Sequence, residues 1–249
     1  GFAPGAPPFV PPPAGGDSIE VPVSPDSERL QLLEPFAPWD GNDYENLPVI
    51  AKAHGKCTTD HISAAGPWLR YRGHLENISG NLYLGVVNGF NGYDIGHGKN
   101  QITGEIQSLP DIAREYHAAG LRWVFIGDSN TGEGSSREHA AMEPRFRGCV
   151  MALARSFARI HETNLKKQGV LALTFADPAD YERIGEDDRI AVRGLADLAP
   201  DRPVTVEVTA PDGAVWSFEA HHTLSDEQTE WFRAGSALNI IRSRSRQQA

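Results

Sequence analysis

The sequence predicts an α/β fold with parallel strands at its centre. Between Pro110 and Phe175, helical and strand segments alternate three times, punctuated by glycine and proline. After Arg189 the pattern changes to short β segments around a Pro211-Asp212-Gly213 turn. A third observation sets the boundary. The first 40 residues hold 10 of the 18 prolines, so they read as an extended linker (1–40) ahead of one domain (41–249).

Within the linker, positions 29–33 (RLQLL) form an apolar patch able to dock, and Phe36 and Trp39 are costly to leave in water. A disordered tail is the other reading. Positions 47–53 (LPVIAKA) read as a strand, followed by a polar loop at 55–66. The apolar run 82–87 reads as a buried strand. Positions 90–104, rich in Gly and Asn, read as a loop or irregular hairpin.

Pro110 and Asp111 suit a first helical turn, with Ile112, Tyr116 and Ala119 at helical spacing and Gly120 as the stop. A strand at 121–126 runs into the glycine-rich turn 127–134. A helix is expected from Ser135 or Ser136, and a strand at 149–153. A helix at 156–168 ends at Gly169 and leads to a third strand at 170–175. Positions 189–193, 204–209 and 214–219 alternate as β strands. Ser225 with Gln228 fits a capping box, Gly235 ends that helix, and a basic, polar tail is expected beyond it.

Charge and cysteine content exclude several functions. The chain has 249 residues, with 23 Lys+Arg against 33 Asp+Glu, a net charge of −10 that argues against nucleic-acid binding. Two cysteines, Cys57 and Cys149, cannot build a disulfide framework or hold a zinc or iron–sulfur centre alone. No apolar run approaches membrane-spanning length. The first residues show no signal-peptide pattern, and the start reads as the cut end of something longer.

Two segments could carry chemistry. Gly127-Asp128-Ser129-Asn130-Thr131-Gly132-Glu133-Gly134-Ser135-Ser136-Arg137 is a strand–turn–helix junction that can present backbone N–H groups to an anion. It lacks the lysine of a P-loop, and Asp128 and Glu133 would repel phosphate. A guanidinium suits a carboxylate, and a serine among N–H donors could serve as base or nucleophile. On the residues alone, simple helix capping by Ser135 or Ser136 is the better account of the serines. The second segment, Thr58-Thr59-Asp60-His61-Ile62-Ser63, with Arg70 and Arg72 beyond, packs polar groups into a binding-type loop. Plain turn chemistry accounts for it too.

Beyond these local readings, Lys56-Cys57-Thr58-Thr59-Asp60-His61-Ile62-Ser63-Ala64-Ala65-Gly66-Pro67-Trp68 closely resembles a segment of mitochondrial-type aconitases. So do Gly132-Glu133-Gly134-Ser135-Ser136-Arg137-Glu138-His139, the stretch from Ser156 to Gly169, and Trp231-Phe232-Arg233-Ala234-Gly235-Ser236. Thr131 stands where that family usually has an aromatic residue, and Met142 where it has Leu. The resemblance covers the family's C-terminal swivelling domain and the linker before it. It implies a three-layer β/β/α fold with a mixed, partly parallel sheet.

In that family citrate is converted to isocitrate through cis-aconitate. By resemblance, Ser135 is the base that removes a proton, and Asp60 belongs to the same active-site shell. Ser136, Arg137 and Arg72 bind substrate carboxylates, with Thr59 and Ser63 in support. A 4Fe-4S cluster acting as Lewis acid is implied for the full-length enzyme, on cluster-bearing N-terminal domains. This chain carries no metal ligands, so alone it is expected to be inactive. The implied compartment is the mitochondrial matrix in a eukaryote or the cytoplasm in a bacterium. The small subunit of an isopropylmalate or homoaconitate dehydratase is an alternative, as is an RNA-binding relative.

Overall fold

The computed structural model describes residues 11, 15–16, 19–90, 92–135 and 137–248. Seven strands close into one mixed barrel. Its first half is parallel: β1 (Tyr44–Lys52), β4 (Trp123–Gly127), β5 (Cys149–Ala154) and β6 (Leu171–Phe175) lie side by side. Its second half is antiparallel: β9 (Val215–His221), β8 (Val204–Thr209) and β7 (Arg189–Arg193) return to β1. A small hairpin, β2 (His97–Lys99) with β3 (Ile106–Ser108), stands apart.

Alternation along the parallel strands makes two cores. Val124, Ile126, Met151, Leu153, Leu171 and Leu173 point into the barrel, where Ile190, Val192, Val206 and Val208 meet them. The other faces of these strands offer Ala51, Phe125, Ala152 and Ala172 to a layer of helices. Small side chains there let the helices approach closely. They are α3 (Leu109–Ala118), α4 (His139–Phe146) and α5 (Arg159–Lys167), which contribute Ile112, Tyr116, Ala140, Ala141 and Leu165. Two sheet layers and one helical layer agree with the expected three-layer α/β architecture. Ser108 caps α3, and Pro110 sits in its first turn.

Several elements differ from expectation. Positions 82–87 form no strand, and Leu82, Tyr83 and Val86 are buried while Val87 is exposed. A short 3-10 helix (Ser79–Asn81) leads into turns, and Tyr83 at φ 62° cannot continue an extended chain. The run earns burial by packing Leu82, Tyr83 and Val86 into the outer core. Helix α4 begins at His139, so no serine caps it. Helix α5 begins at Arg159 rather than 156. After α7 (Asp226–Ala234), closed by the Ser225–Gln228 capping box and ended by Gly235, the polar tail is itself a helix, α8 (Ala237–Gln248).

Part of the segment expected to be a linker is docked. Leu30 bridges Gly73, and the Gln31 amide donates to the Gly73 carbonyl at 2.8 Å. Trp39 packs against Phe232 with ring centroids 5.6 Å apart, and Arg145 donates to the Ala37 carbonyl. Positions 1–10, 12–14 and 17–18 lie outside the described residues, so the proline runs there are not placed. Among the described residues no helix is long and apolar enough to cross a membrane.

Candidate active site

The site lies beyond the carboxyl ends of β1, β4 and β5, the usual place for ligands on parallel strands. The β1 end leads into α1 (Thr59–Ile62), and the β4 end opens the glycine-rich loop. Backbone bonds lock these segments together. Gly132 N–H donates to the Cys57 carbonyl at 2.7 Å, Thr59 N–H to Glu133 at 2.9 Å, and Thr131 N–H to Ser156 at 2.9 Å. Gly132 is required twice over. Its φ is +81°, and a Cβ would lie 2.2 Å from the His161 ring.

Asp128 anchors the loop's start. Burial opposes its charge, yet the N–H groups of Gly55 and Ser129, together with Arg155, outweigh it and hold the carboxyl below its ordinary range. Its partners are internal, so Asp128 is structural.

Ser135, Arg137 and Arg72 come together. They line one cleft of about 460 Å³, with Ser63, Leu69 and His139 in its wall. Ser135 and Arg137 also border a second cavity of about 290 Å³ on the other side of the loop, against Thr59, Arg159 and His161. Ser135 is exposed at the junction. Ser136 lies outside the described residues.

Arg137 is held by a short ion pair with Asp60 and by a 2.9 Å bond to the Ser63 carbonyl. The Arg137 bond is the main reason the Asp60 carboxyl is held below its ordinary range. Arg72 is fixed through its backbone, since His139 donates from Nε2 to the Arg72 carbonyl at 2.9 Å. Arg72 lines the cleft and also borders a groove formed with Glu28, Arg29 and Leu69. The hydroxyls of Thr59 and Ser63 do not reach open space. Thr59 is buried, with Oγ1 unpartnered among the described residues. Ser63 Oγ donates to Glu143 Oε1 at 2.7 Å.

Glu143 was no sequence candidate. It is completely buried, and burial pushes its carboxyl up to about 8 against the opposing Ser63 bond and the Arg147 charge. The available signal was a glutamate one turn beyond Ala140 on the buried face of a helix. His139, holding Arg72, was missed for want of any pattern.

The donors present do not fit an iron–sulfur cluster. Cys57 and Cys149 are both buried, and burial pushes each thiol up to about 12. Among the described residues no three His, Cys, Asp or Glu side chains converge to hold a metal ion.

Residues 47–178 match the family model described as the aconitase C-terminal domain. The mitochondrial aconitate hydratase of Gracilaria gracilis is 58% identical over 242 residues, 97% of this chain and 31% of the relative. That of Saccharomyces cerevisiae is 56% identical over 243 residues, 98% of this chain and 31% of the relative. The chain thus spans about a third of the length of these relatives. Among solved structures, a 3-isopropylmalate dehydratase from Methanocaldococcus jannaschii is similar in fold. Its TM-score is 0.50 at 19% identity, covering 80% of this chain and 95% of that one.

Proposed function

The chain belongs to the aconitase C-terminal domain family, and on that premise we propose that it supplies the base and carboxylate-binding half of an aconitate hydratase active site. The observation that carries this reading is the shared cleft of Ser135, Arg137 and Arg72. Residues 41–249 are the swivelling domain, and 1–40 are the linker to the rest of the enzyme. The substrates are citrate, cis-aconitate and isocitrate. The cluster belongs to the other domains, because the thiols here cannot ligate it. The relatives' names favour a mitochondrial location.

The chemistry asked of this half is proton transfer. The hydrogen to be removed sits on carbon next to a carboxylate and is weakly acidic. A serine alkoxide is basic enough if cations and N–H donors stabilise it. Ser135 is solvent-accessible, and Arg137 borders both cavities beside it. Arg137 and Arg72 each offer a planar fork to a carboxylate, and two such groups on one wall orient a tricarboxylate. Asp60 keeps Arg137 extended toward the cleft. Its carboxylate sits at the exposed rim, so it orients the guanidinium and leaves proton abstraction to the serine.

In the full-length enzyme, Ser135→Ala should lower kcat by roughly 10²- to 10⁴-fold with little effect on substrate binding. Arg137→Lys and Arg72→Lys should mainly raise KM, by about tenfold or more, because lysine loses the bidentate contact. A Ser135→Ala enzyme with unchanged turnover would end the proposal.

A further inference from the structure

We propose that Glu143 is a positioning residue for this site: from α4 it holds the Ser63 hydroxyl, and so fixes the end of α1 whose carbonyl directs Arg137 into the cleft. The inference rests on the function proposed above and adds a residue to it.

The connection is continuous. Ser63 closes α1 as its C-cap, with its N–H bonded to the Thr59 carbonyl. Its carbonyl accepts from Arg137 Nη1 at 2.9 Å, and its hydroxyl donates to Glu143 Oε1 at 2.7 Å. One serine therefore joins the cleft arginine to a buried acid on a neighbouring helix. The end of α1 is also held on its other side: Ser63 bridges Leu82, Tyr83 N–H donates to the Ile62 carbonyl at 2.8 Å, and Asn81 Nδ2 donates to the Ala64 carbonyl at 2.9 Å; the Glu143 bond ties it to α4.

Glu143 is a costly choice for mere packing. Its Oε2 is buried without a partner among the described residues. A buried carboxyl in that state favours its neutral form. The groups facing it are few. Arg147 lies one turn along α4 and is committed to Glu76 on α2 (Leu75–Ile78) through bonds of 2.6 and 3.1 Å. The Tyr83 phenol, from the segment after α2, is buried and kept neutral. Asp60 on α1 and Arg137 ahead of α4 neutralise one another. Ionisation of Glu143 would place an unpaired charge in the outer core. The Ser63 hydroxyl donates to this carboxyl whether or not it carries a proton, so the anchor itself holds across the neutral range.

The test uses the full-length enzyme with citrate as the probe. Glu143→Gln keeps the acceptor for Ser63 and cannot ionise. It should hold KM near the wild-type value. Glu143→Ala should raise KM about tenfold with a smaller change in kcat. Should that variant fail to fold, Ser63→Ala removes the same bond from the cleft side and should raise KM alike. The Ser63→Ala/Glu143→Ala pair should cost no more than either alone. A wild-type KM in folded Glu143→Ala or Ser63→Ala, or a KM in Glu143→Gln raised as far as in Glu143→Ala, overturns the proposal. If Ser135→Ala is inactive while these variants bind normally, only the role of Glu143 falls. A fully active Ser135→Ala removes the underlying function as well.

Discussion

Asp60 and Arg137 meet at the rim of the cleft, where the carboxylate side chain is 59% exposed and the guanidinium 20%. An ion pair this open stabilises a fold by no more than about 1 kcal/mol. Its value lies in direction. Asp60→Asn should leave thermal stability almost unchanged while raising the KM of the full-length enzyme several-fold. A large drop in melting temperature with normal KM would reverse that assignment. The Arg137 bond lowers the Asp60 carboxyl from 3.8, so the pair contributes above the unfolded value and is lost only as pH falls through the lowered one. It is intact throughout the neutral range. At this scale the sequence was informative where a side chain has chemistry that stands alone. Ser135, Arg137, Arg72 and Asp60 were all legible, through motifs. Glu143 was not, because its meaning comes from Ser63, 80 positions away.

Elements were legible where punctuation agreed with periodicity. Pro110 and Gly120 bracket α3, and Gly169 and Gly235 stop α5 and α7. They were illegible where burial came without regular structure. Positions 82–87 have a strand's composition, yet the left-handed Tyr83 turns the chain under α1 and stacks its ring 4.4 Å from Phe125. Helix α8 was hidden because its sequence is mostly polar, and the exposed Leu238 and Ile241 give it no strong apolar stripe. The late start of α4 matters most. Because the helix waits until His139, Ser135 is left out of any cap and free at the cleft. That geometry depends on the tight loop before it. Gly132→Ala would force both a left-handed alanine and a clash with His161. It should cost about 2–4 kcal/mol, read as a lower melting temperature, and distort the serine's loop. Stability within about 0.5 kcal/mol of wild type would mean that the loop is not tightly constrained.

For the molecule as a whole, closure of the barrel leaves each of its seven strands paired on both sides, with one core inside and one beneath the helices. Such a unit should unfold cooperatively on its own, without the remainder of the enzyme. Buried titratable groups then shape its dependence on pH. His161 is buried and its imidazole is pushed from 6.5 to about 4, so folding excludes a proton that the unfolded chain binds. Stability therefore falls as pH drops from about 6.5 toward 4. Glu143 acts in the opposite sense. Its carboxyl rises from 4.5 to about 8, so the folded chain keeps a proton the unfolded chain releases, and stability falls as pH climbs through that window. The buried His222, whose imidazole burial also lowers, acts in the same sense as His161, so the histidines outweigh Glu143 where the windows overlap and stability peaks near pH 6.5. Above it only Glu143 acts, at about 1.4 kcal/mol per pH unit until its own midpoint. Urea unfolding of the chain at fixed ionic strength should trace that maximum and the alkaline decline. In Glu143→Gln the alkaline decline should vanish, and stability should instead rise from pH 4 to 6.5 before levelling. An alkaline decline that survives this substitution would place the responsible proton elsewhere and leave Glu143 ionised in the fold.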